Sequence, residues 1–326
     1  MFSVIIPLYN KASYIERAIK SVLDQSFADF EVIVIDDGST DDSPAKLKCF
    51  TDPRLRLIPQ PNLGVSTARN NGVKEARFDY VAFLDSDDWW HSNFLNEMKN
   101  LITGFPLAGM YGSGYYIVKN GRSIQANIGL DDDFQIGYIN YFSVYSRTFW
   151  VPVNCSFVVV RKDIFEAQGG FSASLRFGED VDLWVRIALR NKVGYVRKNL
   201  AYSDQDVDVS ARALGMGRYW QKKEHVIFNL AYLQEEENVN QELKFLLDGL
   251  RVRSLTGFYL KSWHSDEVQA ILAKIDFNKQ PFFYRFIYQW PLLLVKTYFE
   301  AKQLGSFIKQ AFLRIAYNRQ ASGMLD

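Results

Sequence analysis

At 326 residues, 48% hydrophobic and 23% charged, the chain has the composition of a core-forming protein, one large domain with an appendage or two domains. Its 38 basic and 37 acidic residues leave a net charge of +1, which speaks against the basic face of a nucleic-acid binder. Two distant cysteines, Cys49 and Cys155, and three scattered histidines, His91, His225 and His264, argue against a disulfide scaffold, a zinc site or a Ser-His-Asp triad, and for a reducing compartment.

Met1-Phe2-Ser3 leads straight into an apolar run, without a basic n-region or a cleavable h-region. No stretch reaches about 18 uninterrupted apolar residues, so no membrane span is expected. Val4-Ile5-Ile6 reads as a buried parallel strand. Ser13, with Glu16 three residues later, has the form of a capping box opening a helix. Its apolar face is spaced as Tyr14, Ala18, Val22 and Ile15, Ile19, Leu23. A second strand over 31–35 ends in the polar turn Asp36-Asp37-Gly38-Ser39-Thr40. Ser43-Pro44 follows as a cap with Pro at the first helical position. Strands over 55–58 and 80–84 flank a helix over 66–76, and the last strand runs directly into Asp85.

This alternation predicts an α/β fold with a mostly parallel sheet and helices on both faces. Ligands of such sheets bind beyond the strand C-termini. Tyr9-Asn10, Asp36-Asp37 and Asp85-Ser86-Asp87-Asp88 all fall at those ends. From about Gly109 the pattern turns β-rich and antiparallel. A hairpin is expected over 111–128 around Asn120-Gly121, then a strand over 156–160, the Gly169-Gly170 break and a helix over 181–188. Beyond about Tyr219 the pattern is almost wholly helical.

Asp85 and Asp87, two apart at a strand end, would point the same way in extended chain. Paired carboxylate oxygens suit Mg²⁺ or Mn²⁺, which commonly bridges one or two carboxylates to substrate phosphates. As a Lewis acid such an ion neutralises a departing diphosphate. The alternative is a solvated acidic loop, and for Asp37 an ordinary turn residue. No G-x-G-x-x-G and no P-loop occurs.

Val4-Ile5-Ile6-Pro7-Leu8-Tyr9-Asn10, Val34-Ile35-Asp36-Asp37-Gly38-Ser39-Thr40-Asp41, Gly64-Val65-Ser66-Thr67-Ala68-Arg69-Asn70 and Phe83-Leu84-Asp85-Ser86-Asp87-Asp88 together resemble family 2 glycosyltransferases, over roughly residues 2–215. The resemblance implies an inverting, bacterial polysaccharide-type enzyme with a GT-A, Rossmann-like fold. Its catalytic domain would span 1–218, with a donor half (1–108) and an acceptor half (109–218). A helical C-terminal region would fill 219–326. It further implies that Pro7 and Tyr9 line the base pocket and that Asp37 binds the uracil-like edge. Arg69 would approach the diphosphate or base, Asp87 would hold the metal, and Asp85 and Ser86 would sit beside the donor. Asp85 is also counted as a metal ligand.

Phe177-Gly178-Glu179-Asp180-Val181-Asp182-Leu183-Trp184-Val185-Arg186 resembles the family's acceptor-side segment. By that resemblance Asp180 is the general base, with Glu179 its rival. Inversion requires a carboxylate opposite the leaving group to take the acceptor proton. Both acids would equally favour the N-terminus of the following helix. Trp184 either borders the acceptor or packs in the core. One departure stands out: Tyr202 to Ser210 is acidic where relatives carry a basic or His-containing stretch, leaving Arg212 to compensate or the donor to be met differently.

Over 279–319 seven basic residues, Lys279, Arg285, Lys296, Lys302, Lys309, Arg314 and Arg319, face a single acid, Glu300, a net of +6 among bulky apolar residues. This suits an interfacial helix on an anionic membrane surface, and equally a surface packed on the catalytic domain or on a second copy in a homo-oligomer. The expected function is transfer from a UDP-sugar to a glycan or lipid-linked saccharide. It would take place in the cytoplasm or on the inner face of the cell membrane. The alternatives are a sugar-phosphate nucleotidyltransferase and a non-catalytic nucleotide-sugar-binding module.

Overall fold

The computed structural model describes residues 1–208 and 224–302. The strand β1 (Phe2–Leu8) is buried along its whole length, as a central parallel strand must be. Helix α1 (Ile15–Leu23) follows, then β2 (Phe30–Asp36), α2 (Ser43–Leu47), β3 (Leu55–Pro59), α3 (Val65–Glu75) and β4 (Tyr80–Phe83). All four strands run parallel in the order β3-β2-β1-β4, with Phe2 in register with both Phe30 and Tyr80.

Period-two alternation in β1 sends its residues to opposite faces. Val4, Ile6 and Leu8 join one core with Ile15, Ala18, Ile19 and Val22 of α1. Ile5 faces the other way, against α3. There a Cβ on Gly72 would lie 2.3 Å from Ile5 Cγ2, so only glycine lets this helix approach the strand. Gly72→Ala is expected to cost about 1–3 kcal/mol by overpacking, read as a lower urea midpoint at unchanged slope.

The chain continues through β5 (Trp89–Trp90), α4 (Phe94–Gly104), β6 (Ala108–Lys119), β7 (Arg122–Gln125), β8 (Ile136–Ile139), α5 (Tyr141–Thr148), β9 (Val158–Arg161), α6 (Lys162–Ala167), α7 (Glu179–Arg190) and β10 (Lys192–Asp204). One sheet carries the path β3-β2-β1-β4-β9-β6-β10-β5. β9 is antiparallel to β4 and β6, whereas β10 is parallel to β6 over their long pairing. The second half is therefore not simply antiparallel. The expected hairpin forms at Asn120-Gly121, both with positive φ as a primed turn requires.

The capping box at Ser13 does not form. α1 begins after Tyr14, without a side-chain cap, and Lys11 O accepts the amides of Tyr14 and Ile15 instead. Ser43 likewise sits inside α2, whose cap position is Asp42.

The chain packs as two compact units, 1–246 and 247–326. Toward the C-terminus come α8 (Gln234–Val239), α9 (Gln241–Leu260), α10 (Ser265–Leu272) and α11 (Phe282–Gln289). Within the second unit, Tyr288 OH donates to Val252 O at 2.6 Å, and Asp276 N to the buried Asp248 at 3.2 Å. Among the described residues no helix is long and apolar enough to cross a membrane.

Candidate active site

The strand-end loops after β1 and β2 are laced together. Asn10, held at φ 52°, accepts Thr40 N at 2.8 Å and donates its own amide to Ser39 Oγ at 3.1 Å. Pro7 is buried within β1, and Tyr9, 45% exposed, is the open side chain at this end. The buried Asp37 carboxylate accepts Gln60 Nε2 at 2.6 Å, Leu63 N at 2.8 Å and Gly64 N at 2.9 Å. It thereby braces the loop that opens α3. A carboxylate has about four acceptor sites, so little capacity remains beyond that brace.

Asp85 to Asp88 is a turn rather than extended chain, closed by Asp88 N donating to Asp85 O at 3.0 Å. The i, i+2 alternation expected there does not apply, and the two carboxylates meet different cations. Asp85 takes Arg69 Nη2 at 2.7 Å, and Asp87 pairs with Lys11 Nζ. Ser86 is buried. Burial pushes the Asp87 carboxyl up, with Lys11 opposing and Asp85 reinforcing. The fully enclosed Asp88 is pushed well up by burial and by both neighbouring carboxylates. It accepts Asp204 N at 2.7 Å, while Arg17 reaches Asp87 O at 2.7 Å and Asp204 Oδ2 at 2.5 Å.

The acidic stretch after β10 is thus partly structural. Asp204 fastens the aspartate turn, and Asp206 caps the hairpin by accepting Asn120 N and Gly121 N at 2.6 and 2.8 Å. Arg212, the expected compensating cation, lies outside the described residues.

Arg69 joins the two halves. It is 4% exposed, and its other arm, Nη1, donates to Glu179 Oε1 at 2.9 Å. Both terminal nitrogens are therefore on carboxylates. The next residue, Asn70, pairs twice with the Phe171 backbone, at 2.7 and 2.9 Å. Phe171 follows Gly169 and Gly170, both at positive φ, which bend the chain toward α7.

Glu179 and Asp180 open α7 directly after Gly178, also at positive φ. The two acids differ in partners. Glu179 is held by Arg69, while among the described residues the side chain of Asp180 accepts only the neighbouring Val181 N, at 2.8 Å. Burial, then the adjacent Glu179, raise the Asp180 carboxyl to about 7 against the opposing pull of Arg69. The surroundings include Cys155, whose thiol burial pushes well up, and Tyr141, whose hydroxyl is buried without a hydrogen-bond partner.

Trp184 packs in the core, the second of its two expected places. It is 0% exposed and packs edge-on against Phe171 at 5.6 Å, with Phe83 at 6.4 Å. Lys11 and Arg17 are given no role by the sequence, and Asp88 and Asp204 stand there only as members of acidic stretches. Their signal was present only as charge near a strand end, without a spacing that sets it apart from surface residues.

Residues 3–167 match the family model "Glycosyl transferase family 2". An uncharacterized glycosyltransferase of Rickettsia conorii is 34% identical over 201 residues, 61% of this chain and 32% of that protein. The Escherichia coli UDP-Glc:alpha-D-GlcNAc-diphosphoundecaprenol beta-1,3-glucosyltransferase WfgD is 29% identical over 197 residues, 60% of this chain and 73% of that protein. S. aureus TarS 1-349, solved in complex with UDP-GlcNAc, shares the fold at TM-score 0.70 and 20% identity, over 93% of this chain and 92% of that one. The chain spans only about a third of the length of the first curated relatives it matches. With the family model covering half of the sequence, the chain belongs to glycosyl transferase family 2.

Proposed function

We propose that the chain is an inverting glycosyltransferase that moves a sugar from a UDP-sugar to a hydroxyl of a glycan or lipid-linked saccharide. The observation that carries this is Arg69, which ties Asp85 of the donor half to Glu179, beside the candidate base Asp180 of the acceptor half. Family membership favours transfer over nucleotidyl chemistry. The TarS complexes with UDP-GlcNAc and UDP, and the name of WfgD, support the donor class.

In this reading Asp180 takes the acceptor hydroxyl proton as the acceptor oxygen bonds to the anomeric carbon. The bond to the UDP oxygen breaks on the opposite face. Of the two acids, Asp180 suits the role because Glu179 is already held by Arg69. A carboxyl near 7 is matched to proton transfer at neutral pH.

The aspartate turn fits a hard divalent cation in its chemistry. It offers oxygen donors, it holds in Asp88 a carboxyl that burial and then the neighbouring carboxylates push well up, and the Lys11 ammonium already stands on Asp87. Asp87 with Asp85 would hold Mn²⁺ or Mg²⁺, which supplies charge neutralisation for the departing diphosphate. Among the described residues no three His, Cys, Asp or Glu groups form a complete cage, so substrate phosphates would complete the ligand set.

The test is UDP release from a panel of UDP-sugars with Mn²⁺; no release from any sugar, with or without acceptor glycan, overturns the reading. Asp87→Ala is expected to raise the Mn²⁺ concentration for half-maximal release by about tenfold or more. An unchanged metal requirement would remove Asp87 from the metal site.

For the acceptor we propose a lipid-linked saccharide met at an anionic membrane surface. In the second unit Phe282, Trp290 and Leu293 are 66, 49 and 76% exposed, in a stretch that also carries Arg285, Lys296 and Lys302. Lys309, Arg314 and Arg319 lie outside the described residues. Flotation with anionic vesicles is expected to recover more protein than with neutral ones, and Trp290→Ser with Leu293→Ser to reduce it. Equal recovery in both vesicle types counts against the anchor.

A further inference from the structure

The acceptor half contains a half-open cavity of about 220 Å³ that the proposed reaction does not use. It lies between the segment following β7 and the middle of β10. Gln125, Asn127, Tyr195, Arg197 and Asn199 line it with polar groups, and Ile128 contributes apolar surface. Its origin is local. The register of β10 against β6 shifts on both sides of Asn199, and such irregularities open a ladder. Opposite Asn199 stands Gly114, where a Cβ would lie 2.5 Å from Asn199 Oδ1, so a side chain there would crowd the opening.

The lining is underused. Tyr195 is 0% exposed, yet its hydroxyl has no hydrogen-bond partner among the described residues, an arrangement that costs about 1–3 kcal/mol unless something bonds to it. The half-buried carboxamide of Asn199 also makes no side-chain hydrogen bond to other described residues, while those of Gln125 and Asn127 are exposed. Carboxamides and phenols each both donate and accept, as do the hydroxyls of a neutral sugar. Arg197, the cation in the lining, gives Nη1 to the carbonyls of Asp131 and Asp132, at 2.8 and 2.7 Å, and its other guanidinium nitrogens can donate to a sugar hydroxyl. At roughly 30 Å³ per water the space equals about seven waters, the size of one monosaccharide and too small for a nucleotide.

We propose that this cavity is a second saccharide site, holding one neutral sugar unit of the acceptor glycan away from the reacting hydroxyl. Asn199 and Asp204 lie on the same strand, roughly 17 Å apart at about 3.4 Å per residue, and Asp204 touches the aspartate turn. A short glycan chain spans that interval. The glycan's identity rests on the glycosyl-transfer reading; occupancy of the cavity does not.

The experiment is saturation-transfer NMR on the full chain with methyl glycosides of glucose, galactose and N-acetylglucosamine, under saturating UDP and Mn²⁺ to block the donor site. At least one glycoside is expected to give a signal, reduced about fivefold or more in Asn127→Ala and in Tyr195→Phe. Tyr195→Phe should also raise the melting temperature, because it deletes a buried unpaired hydroxyl. A merely structural Tyr195 would move the melting temperature and leave the sugar signal unchanged. No signal from any glycoside, or equal signals in wild type and both variants, overturns the proposal. UDP release is measured on the same preparation. Release without a cavity signal sinks this inference alone, whereas a cavity signal without release supports it and sinks the transfer reading.

Discussion

Asp180→Asn is expected to lower sugar transfer by about 10²–10⁴-fold while leaving UDP affinity within about twofold. The amide keeps the shape and the contact with Val181 N is lost or weakened, but the proton acceptor is gone. Single-turnover transfer, with UDP binding by calorimetry alongside, separates the two effects; undiminished transfer removes Asp180 as base. The pH profile offers a second check. With the carboxyl raised to about 7, turnover should climb through an acid limb near that value and level off above it. A divalent cation at Asp85 offsets part of the crowding by negative charge, so the limb should move lower as Mn²⁺ is added.

The same shift has a stability consequence of definite sign. Between the ordinary value of 3.8 and about 7 the folded chain holds a proton at Asp180 that the unfolded chain has released. Unfolding therefore releases a proton, and stability falls as pH rises through that window. Asp180→Asn lacks this loss. It should match wild type near pH 4 and exceed it near pH 8 by on the order of 2 kcal/mol, after allowing for the partial exposure of the site.

Arg69→Leu should be the most destabilising single change at the site, by about 3–5 kcal/mol near neutral pH. It leaves Asp85 and Glu179 facing each other beside Asp180 with no counter-charge. Arg69→Lys is expected to rescue little, since one ammonium replaces a planar fork that serves two carboxylates with separate arms. Adding Asp85→Asn and Glu179→Gln to Arg69→Leu should recover stability without recovering transfer. Urea midpoints across this set measure the coupling; additive losses would mean that Arg69 does not bind the two acids as one unit.

The parallel half of the fold was legible because its two central strands carry β-branched runs, and β2 ends abruptly in polar residues, as Val32 to Ile35 does before Asp36. The strand-end carboxylates were found for the same reason. Their partners were not. Whether Arg69 points at a phosphate or at Glu179 depends on a contact across 110 positions of sequence, and no periodicity encodes it. Trp184 lies on a helix face whose burial is decided by Phe83 and Phe171, on other elements. Ser13 and Glu16 have the letters of a capping box, yet the Lys11 carbonyl already takes the first helical amides. The parallel pairing of β10 with β6 stayed hidden because a strand's direction depends on the crossover before it rather than on its own residues.

Arg69 and Asn70 are neighbours on one short helix, and between them they grip the aspartate turn, the first residue of α7 and the bend that leads to it. On the proposed reading, the gap between leaving group and incoming hydroxyl would be gauged by a rigid helical step of about 1.5 Å instead of by the surface loops.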